Sequence, residues 1–234
     1  KTPSVFNLPH FFKLFPQAYL LIVMRDGRAV VESSARSFGW DRDETARKWA
    51  RGADIIRAFD QAHRGQGARY RIVRYEDLFL NLEHEVRDIL RFLDLDIERY
   101  DFQAAWDLPV YGSSTLRDDQ ARVHWEAVER KPEFNPLARW AGWTRRQHER
   151  FNWTAGERLA SFGYAPQRYE GRRLLWRAYN RLADWAATLR IESQHHIAAA
   201  FEGYQQGDLG RVRRHTPVGM MLNPAWQANR GVWS

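Results

Sequence analysis

The apolar positions of this 234-residue chain change period several times, and each change marks an element. Residues Tyr19 to Met24 form a short continuous apolar run, the pattern of a strand buried in a parallel sheet. The strand is predicted over 18–24. Residues 4–14 precede it as a short helix with Pro9 near its start, and Phe15-Pro16 turns the chain into the strand. Arg28 to about Phe38 then reads as helix. Over 43–63, Ala46, Trp49, Ala53, Ile56 and Phe59 make a helical stripe, closed by Gly65 and Gly67. Arg69–Tyr75 is a second predicted strand. Asn81 is placed to cap a helix over 82–93, whose apolar face is Leu82, Val86, Ile89, Leu90 and Leu93. A strand, a long helical crossover and a second strand argue for an α/β class, with a parallel sheet covered on both faces.

Periodicity weakens beyond residue 100. Residues 107–136 read as a long irregular loop, and 145–163 as a helix that stops at Gly163. From Glu170 to about Tyr204 the chain is helical again. Its stripe of Leu175, Tyr179, Leu182, Ala186 and Leu189 is a face that its own domain, a partner or a membrane surface would cover. Packing on its own domain is the expectation. The division predicted is an α/β domain over 1–168 and a helical extension with a tail over 169–234.

Composition narrows the picture. Hydrophobic residues at 44% and 11 tryptophans exclude a disordered class. Cysteine is absent, which excludes disulfides and cysteine metal sites and fits a reducing compartment. No apolar run approaches the ~18–20 residues of a membrane helix. A cytoplasmic protein is the expectation. The net charge of +7 suits phosphorylated ligands. Basic residues alternate with acidic ones rather than forming blocks interleaved with aromatics, so nucleic acid is not an expected partner. No clustered His and carboxylate pattern suggests a metal.

The candidate chemistry begins where the first strand stops, at Arg25-Asp26-Gly27-Arg28. A strand end, a glycine turn and a helix start together offer free N–H groups and the positive end of a helix dipole to an anion. Arg25 adds a guanidinium fork suited to phosphate oxygens, and Ser33 adds a hydroxyl. A solvated turn with a local Arg–Asp pair is the alternative, and Arg28 is expected to make such a local salt bridge. Tyr75, at the end of the second strand, stands where it can face the same ligand.

Four features in order carry a resemblance. They are Lys1-Thr2-Pro3, the R-D-x-R element at Arg25–Arg28 with Ser33 eight residues after Arg25, Y-E-D-L at Tyr75–Leu78, and SSTLRDDQARVHW followed by LARWAGWTRRQHERFNWTAGERLASFGYAP. Over about residues 1–168 the chain resembles the sulfotransferase superfamily, enzymes that use 3′-phosphoadenosine 5′-phosphosulfate. In look it is nearest the tyrosylprotein-type and bacterial branch. The resemblance implies a P-loop-NTPase-like sulfotransferase fold and transfer of a sulfuryl group to an acceptor hydroxyl. By the same resemblance Lys1 stabilises the leaving group and Ser114 lies near the transferring group. Arg25 and Ser33 bind the 3′-phosphate with help from Arg36, Tyr75 contacts the nucleoside, and Arg139 contacts the nucleotide phosphates.

The family's 5′-phosphosulfate loop, of the type K/R-S-G-T-[ST], has no counterpart in the chain. Gly112–Thr115 is its nearest imitation and lacks a preceding apolar strand. The expectation is therefore a fold incomplete at its N-terminus, missing the first strand, loop and helix, and inactive alone. No catalytic base is assigned. His10, Glu32 and His124 are candidates, each better read as a surface residue. Trp125, Trp140 and Trp143 read as anchors rather than acceptor platforms. The expected partners are the nucleotide co-substrate and a hydroxyl-bearing acceptor. The alternative is a non-catalytic nucleotide-binding or interaction module built on the same fold.

Overall fold

The computed structural model describes residues 5–108, 110–111, 127–128 and 135–206. Two compact units divide the chain, residues 1–169 and 170–234. In the first, a 3₁₀ turn over Val5–His10 leads into α1 (Phe11–Leu14), β1 (Leu20–Met24), α2 (Gly27–Phe38) and α3 (Arg42–His63). β2 (Tyr70–Arg74), α4 (Tyr75–Leu80), α5 (Leu82–Phe92) and α6 (Phe102–Trp106) follow. A two-residue antiparallel pair, β3 (Val110–Tyr111) with β4 (Ala127–Val128), precedes α7 (Arg145–Ser161). The second unit contains α8 (Arg173–Gln205).

β1 and β2 are parallel and in register from Leu20 opposite Tyr70 to Met24 opposite Arg74. Their carboxyl ends therefore lie side by side. Helix α3 is the spine of the crossover. Its Ala53, Ile56 and Phe59 pack with Ile22 and Met24 of β1 and with Leu8. Its Ala46 and Ala50 pack with Val31 of α2 and with Phe151, Ala155 and Leu159 of α7. One helix thus fixes both the strand that ends at the site and the helix that starts there.

The other side of β1 is open among the described residues. The parallel sheet is flanked by helices as expected, but Leu21 and Val23 are 37% and 56% exposed, so its cover is incomplete over β1. The cover is restored over β2, where Val73, opposite Val23, is buried. Arg71 ties that strand to α5 through Glu85 and Asp88, at 3.6 and 3.1 Å.

Several boundaries depart from the sequence reading for local reasons. Tyr75 opens α4 rather than ending β2, because the chain turns helical directly after Arg74. Asn81 makes no side-chain cap to α5. It closes α4 with its own N–H on the Asp77 carbonyl and takes φ −133°, ψ 50°, so its conformation serves the kink between the helices. Asp26 and Asp41 do cap, accepting from the Arg28 and Glu44 amides, and α2 ends on left-handed Gly39, as a helix stop requires. Capping of α7 is reciprocal between Thr144 and Gln147.

The helix over 170–204 forms as expected, but its predicted inward face points outward. Leu175 and Leu182 are 65% and 64% exposed, whereas Asn180 and Ala187 are buried.

Candidate functional site

The site is assembled where β1 and β2 end. Past Met24, Arg25 and Asp26 form the turn into α2, and Gly27 is its first helical residue. A Cβ on Gly27 would lie 2.6 Å from the Trp49 ring and 2.8 Å from Phe151, so only glycine lets α2 start this close to α3 and α7. The indole of Trp49 donates to the Arg25 carbonyl at 3.1 Å and fixes the turn from the opposite side.

Glu76 joins the two strand ends. Its Oε1 accepts from the Asp26 amide at 2.9 Å, and its Oε2 accepts from the Tyr164 hydroxyl at 2.6 Å. Both contacts are buried. Burial, and then the Glu76 carboxylate, push the Tyr164 hydroxyl well above the ordinary tyrosine range, so it stays a donor. Asp26 in turn carries Arg28, whose Nε and Nη2 donate at 3.1 and 2.7 Å. Trp140 covers the Arg28 guanidinium at 3.7 Å. Arg28 is therefore the local salt bridge that the sequence led us to expect.

Arg25 differs. Its Nη2 donates to the Pro136 carbonyl at 2.6 Å, and its guanidinium lies 4.6 Å from the centre of the Tyr75 ring. Its Nε is buried and has no hydrogen-bond partner among the described residues. Arg139 approaches from the segment before α7 and donates from Nη1 to the Ser33 hydroxyl at 3.2 Å. Burial, and then the positive charges of Arg25 and Arg36, lower the pKa of Arg139. Three guanidinium groups thus crowd one place, and two of them, with Ser33 and Tyr75, line it. Such repulsion is what a bound polyanion relieves.

Arg36 stands at the rim. Its Nε donates to Glu32 at 2.7 Å and most of its side chain is exposed. Glu32 is not the surface residue expected of it. It is buried and accepts from Arg36, from Arg42 at 3.1 Å and from the Trp143 indole at 2.8 Å. Burial raises its pKa, but the hydrogen bonds from Arg36, Trp143 and Arg42 together outweigh that and hold it below the ordinary glutamate range. A carboxylate so held is a poor general base. It instead ties α2 to the segment that delivers Arg139.

The structure therefore brings together Arg25, Ser33, Tyr75 and Arg139, with Arg36 beside them. His10 ends the 3₁₀ turn in an exposed position. Lys1, Ser114, His124 and Trp125 lie outside the described residues. Trp140 and Trp143 act as anchors, one on Arg28 and the other on Glu32. Sequence reasoning missed Trp49, Glu76, Pro136 and Tyr164. For Glu76 a signal existed in its place beside Tyr75. The carbonyl of Pro136 had none, because any residue supplies a carbonyl. Among the described residues no group of three or more His, Asp or Glu could hold a metal ion, and no helix is long and apolar enough to cross a membrane.

No curated protein matches the chain. Residues 1–99 match the profile described as "Sulfotransferase family", a stretch that carries β1, α2 and β2 together with Arg25, Ser33 and Tyr75. Over those residues, this chain is similar to the sulfotransferase family.

Proposed function

We propose that this chain handles 3′-phosphoadenosine 5′-phosphosulfate and serves transfer of its sulfuryl group to an acceptor hydroxyl. The observation that carries this reading is the convergence of Arg25, Arg139 and Ser33 at the β1–α2 junction, with the Tyr75 ring beside Arg25. Arg25 and Arg139 take the 3′-phosphate as charge-assisted donors, and Ser33 adds its hydroxyl. Tyr75 lies against the nucleoside, and Arg36 supplies long-range attraction from the rim.

In the transfer, the acceptor oxygen bonds to sulfur as the bond from sulfur to the phosphate's bridging oxygen breaks. The acceptor proton leaves to a base, and adenosine 3′,5′-bisphosphate departs. Catalysis then needs a cation at the bridging oxygen and a donor near the sulfuryl group. Lys1 and Ser114 are proposed for these roles on family resemblance alone. No 5′-phosphosulfate loop of the K/R-S-G-T-[ST] type occurs in the 234 residues, so the chain alone binds the nucleotide and does not turn it over. A cytoplasmic setting suits a chain without cysteine.

Calorimetry with adenosine 3′,5′-bisphosphate tests the reading, with adenosine 5′-phosphate as the control lacking the 3′ group. The bisphosphate binds more tightly, and Arg25→Ala weakens it roughly ten- to a hundredfold, the value of a charge-assisted hydrogen bond. Arg25→Lys recovers only part, since an ammonium lacks the fork. Equal affinity for the two nucleotides would overturn the assignment.

A further inference from the structure

α8 displays an apolar stripe on its exposed side. Leu174, Leu175, Leu182 and Trp185 are 79%, 65%, 64% and 64% exposed. At about 100° per residue these four, with Leu189, fall within an arc of about 100° and run for about 22 Å along the axis. The buried positions Asn180 and Ala187 occupy the opposite side. This helix therefore has buried positions on one side and, opposite them, a wholly apolar side that is exposed. A stripe of this kind on a helix normally marks a binding surface.

The charges beside the stripe identify what it binds. Arg173, Arg177 and Arg181 are spaced four residues apart, so they form a ridge that drifts about 40° per step, from the back of the helix at Arg173 to the border of the stripe at Arg181. All three are exposed, and none makes an ion pair among the described residues. Asp184 is the single acidic residue between positions 173 and 189, and it lies on the arginine side rather than in the stripe. Leucines with a tryptophan on one side, and unpaired arginines along the border, match the boundary between acyl chains and anionic headgroups. A second copy of the helix fits less well, because antiparallel pairing would set one arginine ridge against the other.

We propose that α8 is an interfacial helix that seats Leu174, Leu182 and Trp185 in an anionic lipid surface, with Arg177 and Arg181 on the headgroup phosphates. Co-sedimentation of the full 234-residue chain with vesicles tests this. Vesicles of phosphatidylglycerol mixed into phosphatidylcholine should carry the protein down at low salt, and phosphatidylcholine alone should not. Arg177→Gln and Arg181→Gln each weaken binding about fivefold, and the pair about twenty-five-fold, whereas Arg173→Gln changes it little. The double variant Leu182→Glu, Trp185→Glu abolishes sedimentation. Its circular dichroism and melting temperature should match the parent, because both residues are already exposed. The proposal fails if anionic vesicles carry down no protein, if both vesicle types bind equally, or if the double variant binds like the parent. It fails also if light scattering shows a dimer that Trp185→Glu dissolves, which would assign the stripe to self-association.

Discussion

The arginines of this protein fall into two kinds, and the contrast separates a built site from an open surface. At the strand ends and in the segments packed there, guanidinium groups are oriented by specific partners. Arg28 is held by Asp26 and Trp140, Arg25 by the Pro136 carbonyl and the Tyr75 ring, and Arg139 reaches the Ser33 hydroxyl. On α8, Arg173, Arg177 and Arg181 stand in solvent with no ion pair among the described residues. The first arrangement fixes geometry before a ligand arrives, which suits one phosphate in one orientation. The second leaves three flexible charges in a row, which suits a diffuse surface whose phosphates have no fixed positions. The first therefore depends on many buried contacts, and the second on almost none.

That contrast is broken most severely at Glu76. Glu76→Ala strands the Asp26 amide and the Tyr164 hydroxyl in the interior, at about 1–3 kcal/mol each. Denaturant melts should show a loss of roughly 2–5 kcal/mol, and Glu76→Gln should restore most of it, since an amide still accepts from the Asp26 amide. A loss below about 1 kcal/mol for Glu76→Ala would show that the strand ends hold together without it. Next in size is Gly27→Ala, whose new methyl meets Trp49 and Phe151. Overpacking of this kind costs about 1–3 kcal/mol, and the displaced turn should weaken nucleotide binding as well.

Arg139 sharpens the comparison through opposite signs. Burial and the charges of Arg25 and Arg36 disfavour its cation. Arg139→Gln should leave the ligand-free protein as stable as the parent or more so, while binding of the bisphosphate falls about tenfold or more. A variant that loses stability and keeps affinity would make Arg139 a structural residue.

His148 gives a pH test of the same packed region. It is buried between Trp140, Trp143 and Tyr169, near Arg28 and Asp26. Burial, and then the charge of Arg28, lower its pKa below the ordinary 6.5, with Asp26 opposing. The unfolded chain therefore takes up a proton more readily than the folded one. The contribution of neutral His148 is present in full above about pH 6.5 and is lost as the pH falls below it. Unfolding free energies between pH 7.5 and 5.5 should decline in the parent and flatten in His148→Gln. The carboxylates held low, such as Glu32, act only at lower pH. The smallest effect belongs to the open surface. Arg177→Gln or Arg181→Gln should change stability by less than about 0.5 kcal/mol, since neither side chain touches a partner.

Much of the site was legible because it is local. The apolar run of β1, the stripe of α3, the Asp26 cap and the spacing from Arg25 to Ser33 are set within a turn or two of chain. Hydrophobic period and capping chemistry report directly on that range. That stretch also holds the family match, residues 1–99. The pairing of β1 with β2, and with it the meeting of Arg25 and Tyr75, followed from the crossover between two apolar runs.

What only the tertiary structure decided lies farther apart in the chain or on faces that periodicity cannot orient. The carbonyl of Pro136 reaches Arg25, and Arg139 reaches Ser33, across 111 and 106 residues, and no local pattern encodes either contact. Glu32 looked like one more charge on a helix until Arg42 and Trp143 closed over it. On α8 the leucines suggested an inward face. That helix carries apolar side chains around much of its girth, so the period alone could not say which side was taken. The packing chose Asn180 and Ala187 for the inside and left Leu182 and Trp185 in water. Sequence periodicity reports that a helix has an apolar side. Which side is buried depends on the shape of what lies against it, and that is a property of the folded chain.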